Sequence, residues 1–120
     1  MPPCATNSVT TPEKKVKDKA KRVLDDLGAY HFMPATHGYG SSGVPDVVAC
    51  LDGRFIGIEC KANGGKLSAL QERALTAITQ KGGIAIAVDE SGIGVLKMIL
   101  TTPSFTKIDM PFFNLLKYEI

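Results

Sequence analysis

Cysteine is scarce here, and its arrangement is uninformative: Cys4, Cys50 and Cys60 are an odd number with no CxxC spacing and no histidine cluster nearby. That excludes a disulfide framework and a zinc centre as organising principles, and leaves no paired or activated thiol for redox chemistry. No apolar run is long enough to span a bilayer, and the first residues lack the basic segment, apolar run and small-residue cleavage site of a secretory signal. A soluble, cytoplasmic protein with reduced thiols and no membrane partner is expected. There are no internal repeats and no boundary between domains. A formal net charge of +2 is too small to announce a polyanionic partner by itself.

What is present suits one compact domain: 120 residues with 44% hydrophobic content can bury a single core. Residues 1–10 carry proline and small polar residues without periodicity and read as a loose arm. Thr11 is a plausible N-cap and Pro12 suits the first helical position. Val16, Ala20, Val23, Leu24 and Leu27 then recur at helical spacing until Gly28, so the pattern predicts an amphipathic helix over 12–27. Lys14, Lys15, Lys17, Lys19, Lys21 and Arg22 give it a basic surface, which fits either a solvated helix face or a phosphate-binding one. Glu13, three residues before Val16, falls towards the buried side near the helix start.

Tyr30–Met33 reads as a short strand, followed by a glycine- and serine-rich loop over 36–43. Val47–Leu51 and Arg54–Lys61 are β-type runs joined by Asp52-Gly53, a pair suited to the positive φ angles of a two-residue hairpin turn. Ser68-x-x-Gln71 resembles a capping box at the start of a helix that ends at Gly82-Gly83, with Leu70, Ala74, Leu75 and Ile78 as its inner face. Ile84–Val88 is an apolar run typical of a covered central strand, and its order after strand and helix favours a parallel crossover. A short helix is expected over 91–100, and residues 101–120 are apolar but weakly periodic. The cysteines at 50 and 60 read as core thiols.

The hairpin gathers the residues that carry chemistry. Pairing Leu51 with Arg54 across the turn places Asp46 opposite Glu59, while Glu59 and Lys61, two residues apart, project to the same face at about 7 Å. Two facing carboxylates repel unless a cation lies between them, and oxygen ligands of this kind suit Mg²⁺ or Mn²⁺. Lys61 then falls within reach of the water and phosphate such an ion would hold. Taken singly, Glu-x-Lys on a strand is an ordinary surface salt pair and Pro-Asp a common turn dipeptide; it is their conjunction across a hairpin of the right length that points to phosphodiester hydrolysis.

The ordered set Gly43-Val44-Pro45-Asp46, Ile58-Glu59-Cys60-Lys61 and Leu67-Ser68-x-x-Gln71 resembles a stand-alone VRR-NUC domain, a branch of the PD-(D/E)XK nuclease superfamily. The likeness spans roughly residues 12–90. It implies an α/β fold with a restriction-endonuclease-like core, a central mixed β-sheet flanked by helices, with residues 11–100 as the nuclease domain and 101–120 as its C-terminal extension. It also implies Asp46, Glu59, the backbone carbonyl of Cys60 and Glu13 as metal-binding groups, Lys61 as the catalytic lysine, and Gln71 as a residue orienting the lysine or a phosphate. For Glu13 a first-turn helix carboxylate, and for Gln71 a capping role, remain open beside these. The implied activity is metal-dependent, structure-selective cleavage of branched DNA such as Holliday junctions, in viral-type replication and repair, by a homodimer. Lys14, Lys17, Lys21, Lys66 and Arg73, with His37 and Tyr39 in the glycine-rich loop, are the candidate DNA contacts. The rival is a non-catalytic nucleic-acid-binding module on the same scaffold.

Overall fold

A computed structural model describes residues 11–35 and 43–101. The chain runs α1 (Pro12–Leu27), β1 (Tyr30–Phe32), β2 (Val47–Leu51), β3 (Arg54–Cys60), α2 (Ala69–Gln80), β4 (Ile84–Val88), a 3-10 turn over Glu90–Gly92, and α3 (Ile93–Thr101). The predicted arm over 1–10, the loop residues His37 and Tyr39, and the extension beyond Thr101 lie outside the described residues.

The four strands form one mixed sheet in the order β1-β2-β3-β4, antiparallel until the parallel pairing of β3 with β4. The α/β class with a mixed sheet is therefore as expected. Asp52 and Gly53 both take positive φ, 52° and 83°, which is the twist a two-residue hairpin needs. The resulting register pairs Leu51 with Arg54 and Val47 with Ile58.

Helices cover both faces. On one, Val16, Ala20 and Leu24 of α1 and Leu96, Ile99 and Leu100 of α3 pack on Val47, Ile56, Ile58, Cys60, Ile86 and Val88. α1 starts as its sequence dictates: Thr11 Oγ1 accepts from the Lys14 amide at 3.1 Å, and Gly28 ends the helix in the left-handed conformation. On the other face, Leu75 of α2 packs on Ala85 and Ala87, flanked by Leu67 and Ile78.

Two expectations change here. Leu70, predicted to face inwards, is 48% exposed. The buried stripe of α2 is rotated by one position, so that Gln71, Leu75 and Ile78 face the sheet, and Leu70 moves to the flank with Ala74 and Ala77. Cys50, expected in the core, is exposed. It pairs with Tyr30 and Phe55, on the part of the sheet that α2, lying over β3 and β4, leaves bare.

Candidate active site

The site forms where β2 begins and β3 ends. Pro45 is buried against Gly57: a Cβ at Gly57 would lie 3.0 Å from Pro45 Cγ and 2.6 Å from Ile78 Cδ1. Glycine there lets the segment before β2 and the helix behind it close over β3 together without displacing the Ile78 methyl or the Pro45 ring. That contact fixes Asp46, whose Oδ2 accepts from the Cys60 backbone N–H at 2.8 Å. The strand geometry explains the bond. The Lys61 N–H donates to the Val88 carbonyl on β4, so by alternation the N–H and C=O of Cys60 point the other way, towards β2. Continuing the register puts Cys60 across from Pro45, which has no N–H to offer. Asp46 takes the amide of Cys60, and the Cys60 carbonyl meets no backbone donor from Pro45.

Glu59, the one buried charged residue among those described, is 2% exposed. Its Oε2 accepts from Gln71 Nε2 at 2.8 Å and lies 3.9 Å from Lys61 Nζ. Its Oε1 is buried where no protein donor among the described residues reaches it, and the carboxyl lies within hydrogen-bond reach of Asp46. An ionised carboxylate in that position is costly. Burial foremost, then the neighbouring Asp46 charge and a carboxyl–carboxyl hydrogen bond to Asp46, and more weakly Glu13, push the Glu59 carboxyl up to about 8, against the pull of Lys61. The Cys60 thiol is pushed up to about 12 by burial, then by Asp46 and Glu59, and stays an inert thiol.

Gln71 caps α2 and also contacts the cluster. It completes the capping box with Ser68, its Oε1 accepting from the Ser68 N–H at 2.8 Å while its own N–H donates to Ser68 Oγ at 3.2 Å. The same Oε1 accepts from Lys61 Nζ at 2.9 Å, and Nε2 serves Glu59. One amide therefore ties the first turn of α2 to both the acid and the amine at the end of β3.

Of the residues expected to act together, Asp46, Glu59, Lys61 and Gln71 are brought into one cluster. Glu13 is half-buried, near enough for its charge to reach Glu59 and Cys60, but forms no direct contact with them among the described interactions. The basic residues divide. Lys14 and Lys21 lie on the outer side of α1 and share Asp18, at 3.2 Å and 3.7 Å. Lys66 and Arg73 are exposed, Arg73 at the rim of an apolar groove with Val44, Pro45, Leu70, Ala74, Ala77 and Ile78 that the hydrophobic pattern does not disclose. Lys17 does not belong with the outer face: it lies 3.8 Å from Asp46 Oδ1 and is only 26% exposed. Its spacing four residues from Glu13, beside the inward-facing Val16, is the signal that separates it from the other lysines.

Among the described residues, no group of three or more His, Cys, Asp or Glu side chains gathers to hold a metal ion. The donors here are two carboxylates and a backbone carbonyl. That set fits Mg²⁺ or Mn²⁺, which bind through one or two carboxylates and keep their remaining positions for water and phosphate. The crowding of Glu59 and Asp46 is the observation that favours the fit: no protein donor among the described residues reaches the buried Glu59 Oε1, the two carboxyls share a proton, and a divalent cation can take that proton's place. No helix among those described is long and apolar enough to cross a membrane. No protein-family model matches the chain, and no curated protein matches it in sequence.

Proposed function

We propose that this chain is a metal-dependent DNA endonuclease with the restriction-endonuclease-like core of the VRR-NUC branch, hydrolysing phosphodiester bonds in branched DNA as a homodimer. What supports the reading is a single juxtaposition: the buried Glu59 carboxyl is pressed against Asp46, with no protein cation among the described residues between the two, while its Oε2 is held by the same glutamine that holds Lys61. A structural salt pair has no need of a second acid crowded against the buried one, which costs stability.

Asp46, Glu59 and the Cys60 carbonyl would hold Mg²⁺ or Mn²⁺, which when bound supplies Lewis-acid polarisation of the phosphoryl group and a more acidic water. Lys61, oriented by Gln71 Oε1, places its ammonium where negative charge grows on the phosphoryl oxygens. Gln71 keeps Glu59 from collapsing onto Lys61, so the acid remains available as a ligand. The exposed Lys66 and Arg73 offer sequence-independent phosphate contacts.

The test is a cleavage panel of junction, flap and linear duplex DNA, with Mg²⁺, with Mn²⁺ and with chelator. Cleavage that chelator abolishes, and that favours branched substrates, supports the reading. Binding without cleavage under all metal conditions supports the binding-module alternative.

A further inference from the structure

Lys17 occupies an unexpected place. α1 leaves Lys14, Lys15 and Arg22 exposed, whereas this side chain is partly buried on the flank bordering the core, one turn after Glu13 and next to the buried Val16. Its Nζ approaches Asp46 Oδ1 at 3.8 Å. Asp46 Oδ2 is already committed to the Cys60 amide, so Oδ1 is the oxygen left to face a cation. Lys61 is engaged elsewhere, on Gln71 and Glu59. Lys17 is thus the only ammonium within ion-pair distance of Asp46 among the described residues.

Resting on the proposed metal site, we infer that Lys17 is a resident counter-ion of Asp46 that a divalent cation must displace, so that the protein sets a threshold concentration for its own metal. An ammonium close to Oδ1 both offsets the charge of that carboxylate and repels an approaching cation. A partly exposed side chain can swing away at little cost, and the displaced ammonium then becomes available to a substrate phosphate.

Calorimetric Mn²⁺ titration of wild type, Lys17→Met, Lys17→Arg and Lys21→Met at fixed pH and salt tests this. Lys17→Met, which keeps the length and removes the charge, is expected to bind Mn²⁺ about tenfold more tightly, by the loss of a like charge next to the ligand. Lys17→Arg is expected to stay near wild type. Lys21→Met, which makes the same change in net charge one turn further along α1, should stay within about twofold, because that ammonium is paired with Asp18 and not with Asp46. Unchanged or weaker binding in Lys17→Met overturns the inference and leaves the metal site standing, as does equal tightening in Lys21→Met. If no form binds Mn²⁺, the metal site itself is wrong and Lys17 falls with it. Should Lys17→Met fail to fold, Lys17→Gln takes its place with the same expectation.

Discussion

The Gln71 side-chain amide donates to Glu59 Oε2 at 2.8 Å from a helix cap. Removing the amide therefore has two consequences that separate experimentally. Ser68→Ala deletes the cap partner alone and is expected to cost about 1 kcal/mol of stability, with cleavage largely retained. Gln71→Ala deletes only the side-chain half of the capping box, frees Lys61 and unpairs the buried Glu59; it is expected to cost roughly 1–3 kcal/mol and to cut the cleavage rate by at least about tenfold. Urea denaturation and single-turnover cleavage of both variants decide the matter. Equal activity in the two would reduce Gln71 to a cap.

Asp46 and Lys61 are the sharpest tests of the chemistry. Asp46→Asn is a cleaner change than Asp46→Ala, since it keeps an acceptor for the Cys60 N–H while removing the ligand charge. Both Asp46→Asn and Lys61→Ala are expected to lose cleavage by on the order of a hundredfold or more. Asp46→Asn should also lose Mn²⁺ binding by calorimetry, whereas Lys61→Ala should keep it. A variant that cuts at the wild-type rate removes its residue from the mechanism.

Glu59 makes stability depend on pH in a definite direction. Its ordinary value of 4.5 applies in the unfolded chain, and the folded value is about 8. Between these the folded protein keeps a proton that the unfolded chain has released. The contribution is therefore complete below the unfolded value, declines as pH rises, and is lost as pH passes the folded value. Glu59→Gln abolishes the titration, and without divalent cations it is expected to be more stable than wild type near pH 8 by roughly 1–3 kcal/mol, with the gap closing towards acid pH. Denaturation midpoints across that range measure it. Parallel pH profiles for the two proteins would show that Glu59 is not held protonated by the fold.

Gly57 links packing to the site. A methyl group there meets Ile78 at 2.6 Å and Pro45 at 3.0 Å. Gly57→Ala is expected to destabilise by about 1–3 kcal/mol through overpacking, and to weaken Mn²⁺ binding because Pro45 carries Asp46 with it. Calorimetry and thermal unfolding on the same sample read both effects, and unchanged metal affinity would show that Asp46 is held by its own hydrogen bond alone.

Much of this was legible in the residues. The Asp52-Gly53 turn, with both φ angles positive, fixes the hairpin, and the hairpin fixes which acid faces which. Caps at Thr11 and Ser68 and the crossover to Ile84 follow from local chemistry and apolar length. The departures have a common cause. Periodicity reveals that a helix has an inner stripe but not its rotation, and a glutamine counts as polar until its partners on another element are known. Gln71 could displace Leu70 from the inner face because Glu59 and Lys61 satisfy it there. Lys17 was indistinguishable from its neighbours by composition, since what singles it out is Asp46, distant in sequence. Cys50 lies outside the core because α2 covers only part of the sheet, and coverage is a tertiary fact.

The shared amide at the head of α2 carries one last implication. Helix ends fray first, and here fraying would release the lysine and the acid in the same event. A half-folded molecule would thus be a harmless one: cutting power would appear only after the chain has finished assembling, and would vanish at the earliest stage of melting.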